Sequence, residues 1–203
     1  MDLLRPKLLL FVLIPLLICQ SCAEIKNFVS PKSPVQTSSQ SADPAKKQTS
    51  SQATNLAKKH MEAGEYQKAI DIYSNEYRKQ PQDRSLIKEY AKSLDGIKST
   101  ADKSLEKGDL AVAGRLYNVL QNNYKKFKGF EQMLSFNNAY LNTKLTYCKK
   151  TLSKQGFEEY RKGDLHKAIV LWQELLAIDP NNKAIKEAVR TATQQQKNLQ
   201  ENN

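Results

Sequence analysis

Three times the chain repeats one short phrase: Gly, an acid, Tyr or Leu, then Ala, and an aromatic one helical turn later. The copies are Gly64-Glu65-Tyr66 with Ala69 and Tyr73, Gly108-Asp109-Leu110 with Ala113 and Tyr117, and Gly163-Asp164-Leu165 with Ala168 and Trp172. Each position suits a helix–turn–helix corner. Gly takes the left-handed conformation that ends a helix without a Cβ penalty. The acid after it can cap the next helix by accepting orphan backbone N–H bonds, which Asp does better than Glu65. Ala lets two helices approach closely, and an aromatic four residues on shares its face. In the first and third copies Pro81 and Pro180 follow the Ala by twelve residues, where the second has Lys125.

Units of this kind resemble the tetratricopeptide repeat family, whose repeats are antiparallel helix pairs with this residue pattern. The third copy matches best, running from Gly163-Asp164-Leu165 through Trp172 to Asp179-Pro180-Asn181-Asn182. The resemblance implies an all-α fold of stacked helix pairs. It also implies an irregular one, because the corner glycines stand 44 and 55 residues apart, whereas the family period is about 34. Helices between the corners must therefore be lengthened or additional.

The N-terminus reads as an export signal over residues 1–21: Arg5 and Lys7, an apolar run over 8–18 interrupted by Pro15, then small residues at Ser21-Cys22-Ala23. Eleven apolar residues fall well short of the roughly 20 that span a bilayer as a helix. Cys22 after Ser21 resembles the lipidated cysteine of bacterial lipoproteins, although Cys19 stands where that pattern usually has Leu. Ala23 in place of Asp would then resemble proteins sent on to the outer membrane. The other reading is ordinary cleavage after Ala23, giving a soluble periplasmic or secreted chain. Either way Cys148 is the one thiol left, so no intramolecular disulfide can form.

Residues 22–53 are rich in Ser, Thr, Gln, Pro and Lys and poor in aliphatics, a composition that cannot offset its ordering entropy. They read as a flexible tether. Residues 54–199 read as one helical domain, with helices expected over 56–63 and 66–79. Asp83 or Ser85 is expected to cap a third helix through Ile87, Tyr90, Ala91, Leu94, Ile97, Ala101 and Leu105. A shorter fourth helix should end near Asn122-Asn123. Residues 130–161 contain no Pro, and an unbroken helix there would run about 48 Å. A final helix over 182–199 turns polar towards its end, as the cap of a helical array must.

No catalytic constellation is present. His60 reads as a partly buried packing residue, His166 as a solvated residue at a helix start, and Cys148 as a core cysteine, with a reactive thiol as the other possibility. Neither histidine has a partner at metal-ligand spacing. The seven glycines form no phosphate loop. An enzyme, a metal and a cofactor are not expected.

The net charge of +11, or +10 without residues 1–21, favours an anionic partner, and the export signal argues against nucleic acid. Residues 121–155 concentrate that charge: Lys125, Lys126, Lys128, Lys144, Lys149, Lys150 and Lys154 against Glu131 alone. Tyr124, Phe127, Phe130, Phe136, Tyr140 and Tyr147 are interleaved. This is either a basic aromatic face or a solvated lysine face over packed aromatics.

Tetratricopeptide domains usually bind peptides on the face made by the first helix of each pair. By resemblance the matching positions are Lys58 and Met61, Lys98 and Leu105, and Lys154, Phe157, Tyr160 and Arg161; packing against an extra helix is the alternative for Phe157 and Tyr160. The carboxylate-clamp pattern is missing, with Thr54 and Lys58 at the corresponding places. The expected function is a non-catalytic protein–protein adaptor, lipid-anchored in a bacterial envelope assembly. The alternative is a binder of an anionic envelope polymer or lipid headgroups through residues 121–155.

Overall fold

The computed structural model describes residues 44–201. Among them the chain forms seven α-helices and two short 3-10 turns, with no strand. The helices are α1 (Pro44–Glu62), α2 (Tyr66–Lys79), α3 (Arg84–Glu106), α4 (Leu110–Asn123), α5 (Asn138–Arg161), α6 (Leu165–Ile178) and α7 (Lys183–Glu201). The leader, Cys22 and the tether up to residue 43 lie outside the described residues. α1 begins at Pro44, within the stretch that the sequence assigns to the tether. Proline suits a first helical position, where its missing N–H would have been unpaired anyway.

The repeated phrase folds the same way three times. Gly64, Gly108 and Gly163 have φ of 73°, 84° and 84°. After each, the backbone N–H of the acid reaches back to close the preceding helix: Glu65 to the His60 carbonyl at 2.8 Å, Asp109 to Ser104 at 2.8 Å, and Asp164 to Glu159 at 3.0 Å. These are the bonds of a Schellman ending, which satisfies carbonyls a helix terminus otherwise leaves bare. Ala69, Ala113 and Ala168 are fully buried, and so in effect are Tyr73, Tyr117 and Trp172. The expected capping is only partly realised. The Asp164 carboxylate accepts from the Lys167 N–H at 3.0 Å, while the Asp109 side chain makes no cap bond.

Helices joined by a corner pack on each other: α1 on α2, α3 on α4, α5 on α6; α4 also packs on α5, and α7 on α6. Two glycines without positive φ serve as contact points. A Cβ on Gly114 of α4 would collide with Ile178 of α6 and crowd Cys148 of α5. A Cβ on Gly156 of α5 would collide with the Trp172 indole of α6. Close approach at these two points lets α4, α5 and α6 share one core.

The unbroken helix expected over 130–161 is corrected. The helix starts at Asn138, eight residues later, where the Asn137 side chain caps it by accepting from the Tyr140 N–H at 2.8 Å. Before it, 3-10 turns at Tyr124–Phe127 and Glu131–Met133 flank Gly129 at φ 102°. This segment folds back over α2 and α3. Phe127 and Phe130 are buried, with Phe130 edge-on to Tyr77 at 5.1 Å and tilted on Tyr90 at 5.2 Å. Tyr90 in turn stacks on Tyr73 at 5.2 Å. Aromatic pairs of this kind contribute about 0.5–1.5 kcal/mol beyond their area. That burial, together with an Asp95 carboxylate accepting from the Ser135 N–H and hydroxyl at 2.9 and 2.8 Å, outweighs continued helix here. No helix among the described residues is long and apolar enough to cross a membrane.

Candidate partner-binding face

The residues nominated on α1 and α3 are largely engaged within the fold. The Lys58 ammonium pairs with Glu89 of α3 at 2.8 Å. Met61 and Leu105 are half-buried against the core. Lys98 belongs to a polar hub centred on Asp102, which it meets at 2.8 Å. The Tyr117 and Tyr140 hydroxyls both donate to the same Asp102 oxygen, at 2.5 and 2.6 Å. Burial pushes the Asp102 carboxyl up, but the bonds from Lys98, Tyr117 and Tyr140 prevail and hold it below the ordinary carboxylate range. Asp102 lifts Lys98 above its ordinary value in return. The hub joins α3, α4 and α5, and its lysine also lies 5.1 Å from the Tyr140 ring centroid.

The histidines and the thiol are equally settled. Half-buried His60 bonds through Nδ1 to Glu65 at 2.5 Å, bracing the first corner, while His166 is exposed at the start of α6. Cys148 is fully enclosed, and burial pushes its thiol up to about 11. Among the described residues no three His, Cys, Asp or Glu side chains gather as a metal-ligand set.

On α5 the outcome differs. Tyr147, Lys150, Lys154, Phe157 and Arg161 are all exposed. At 100° per residue they fall within an arc of about 80° on one side of the helix. Two large rings are exposed here, Tyr147 at 55 % and Phe157 at 43 %. Phe157 rests edge-on against buried Trp172 at 5.0 Å, so its position is fixed while one side faces solvent. Among the described residues Lys154 alone of the three cations has a carboxylate within ion-pair distance, Glu158 at 3.7 Å. Tyr160 is half-buried: its ring tilts on Trp172 at 5.7 Å and its hydroxyl donates to Gln195 of α7 at 2.8 Å. It supports the face from beneath.

The lysines of residues 121–155 are carried by two different elements. Lys144, Lys149, Lys150 and Lys154 ride on α5, with Lys144 near the Tyr140 ring at 5.5 Å and Lys149 paired to Asp179 at 3.2 Å. Lys125, Lys126 and Lys128 sit on the 3-10 segment beside α2. The interleaved aromatics divide as well: Phe127, Phe130 and Phe136 are buried, Tyr124 and Tyr140 half-buried, and only Tyr147 is exposed. Sequence reasoning missed Tyr147 and Lys150 as members of the α5 face. The signal was available in the spacing i, i+3, i+7, i+10, i+14 from Tyr147.

Comparison of the chain with protein-family models, with curated proteins and with solved structures finds no match.

Proposed function

We propose that the chain is a non-catalytic adaptor of a bacterial envelope, a helical array of tetratricopeptide type tethered to a membrane through a lipidated Cys22. It holds a protein partner on the exposed α5 face. The observation that carries this reading is the single arc of Tyr147, Lys150, Lys154, Phe157 and Arg161, in which an aromatic anchored on Trp172 stands among three cations. Aromatic and arginine side chains are the residue types that dominate binding at protein interfaces. The charge specifies the partner: an acidic segment with an apolar side chain to cover Phe157.

Site-specific photo-crosslinking in the native envelope tests the reading. A crosslinker at position 154 should give a discrete protein adduct that a crosslinker at exposed Gln173 of α6 does not. Phe157→Ala with Arg161→Ala should abolish it. Equal adducts from both positions, or an adduct indifferent to those changes, would refute the α5 face. Intact mass of the membrane fraction decides the tether separately, since a mature chain beginning at Glu24 without acyl mass excludes lipidation.

A further inference from the structure

Away from the α5 face, α2 and the 3-10 segment after α4 enclose a concavity of about 420 Å³. Its volume lies within the range of small-ligand sites, about 300–1,000 Å³. Arg78, Lys125, Lys126 and Lys128 line it together with Asn75, Ser74, Tyr77 and Asp71. Asp71 is the single carboxylate among these residues, and Lys126 neutralises it at 2.6 Å. Among the described residues Arg78, Lys125 and Lys128 have no carboxylate within ion-pair distance, which leaves about three uncompensated cations around one hollow. Such a field concentrates anions.

The scaffold behind these charges is fixed. Buried Phe127 and Phe130 pin the segment to α2 and α3. The Tyr77 hydroxyl donates to the Lys128 carbonyl at 3.3 Å. Gly129 passes so close that a Cβ there would sit 2.6 Å from the Tyr77 hydroxyl. The Arg78 guanidinium donates to the Asn75 side-chain carbonyl, which orients the fork. An oriented guanidinium flanked by lysine point charges matches the geometry and charge of a phosphate group.

We propose that this hollow is a binding site for a phosphate group, contacted by Arg78, Lys125 and Lys128, with Lys126 held in reserve on Asp71. The site uses no residue of the α5 face and stands or falls independently of it. Its ligand is either the headgroup of an anionic phospholipid or a soluble phosphate species, and the two are distinguishable.

The test is an NMR titration of the full chain in nonionic detergent with two probes, inorganic phosphate and dihexanoyl phosphatidylglycerol. Resonances of residues 75–78 and 124–129 should shift with at least one probe. Response to both, or to the lipid alone, identifies a headgroup site; response to phosphate alone identifies a soluble ligand. Exposed Arg78, Lys125 and Lys128 changed together to Gln should weaken binding about tenfold or more, the loss of one or more charge-assisted contacts, with an unchanged circular dichroism spectrum. Lys88, Lys92 and Lys103 of α3, changed together to Gln, should leave the affinity within about twofold on the same scale. No shift with either probe, or equal weakening by the α3 triple, overturns the proposal.

Discussion

Gly156 of α5 lies against the pyrrole edge of Trp172 on α6, so close that a single methyl group at residue 156 would overlap the indole. The indole nitrogen is buried and has no hydrogen-bond partner among the described residues. The contact thus trades one unmet hydrogen bond for close helix approach. Gly156→Ala should destabilise the fold by about 1–3 kcal/mol through overpacking, although alanine favours helix by about 1 kcal/mol. Combining it with Trp172→Phe, which shortens the ring system and removes the orphan donor, should cost less than the two single changes added. Denaturant unfolding of the four proteins of this double-mutant cycle measures that coupling.

Asp102 gives the fold an acid-sensitive joint. Its folded-state value lies below the unfolded one, so its contribution is fully present above the unfolded value of about 4 and is lost as pH falls through the folded value. Asp102→Asn should cost about 1–3 kcal/mol at neutral pH by breaking the hub around Lys98, Tyr117 and Tyr140. The gap between wild type and variant should close as unfolding is repeated at progressively lower pH.

At the alkaline end the sign reverses. Burial pushes the Tyr73 hydroxyl up to about 12 and raises Tyr90, Tyr117 and Tyr140 as well. For a phenol this favours the neutral form in the fold, so stability is full below about pH 10 and is lost as pH rises through the folded values. Tyrosinate absorbance should show a delayed wave that arrives together with loss of the helical circular dichroism signal.

The two aspartates that follow corner glycines separate capping from sequence pattern. Asp164→Ala removes an observed cap bond and should cost about 1 kcal/mol. Asp109→Ala removes none and should stay within about 0.5 kcal/mol. Thermal or denaturant melts of the two variants check the difference.

The corners were legible in the sequence because a left-handed glycine and the helix closing onto it are local events, decided within about six residues. Gly64, Gly108 and Gly163 needed no knowledge of the rest of the chain. The run from Phe130 to Asn137 was not legible as non-helical, because its conformation follows from Phe130 reaching Tyr77 and Tyr90, residues 53 and 40 positions earlier. Local marks were present in Gly129 and the capping Asn137, but the absence of proline weighed against them. The pairing of Lys98 with Asp102 was hidden for a similar reason: the tyrosines that enclose Asp102 come from α4 and α5. The basic hollow needed Arg78 of α2 beside Lys125 and Lys128, an adjacency only the folded-back segment creates.

That folded-back segment also changes how the molecule should come apart. In a linear helical array each unit touches only its neighbours, so ends can fray while the middle persists. Here Phe127 and Phe130, which follow the second corner, are interleaved with Tyr77 and Tyr90 from before it. α2 cannot detach without exposing rings contributed by the segment that follows α4, and that segment cannot lift without uncovering α2 and α3. The first two corners are thereby made one cooperative unit, and amide hydrogen exchange in α2 and α4 should report a common opening free energy rather than a gradient from the end.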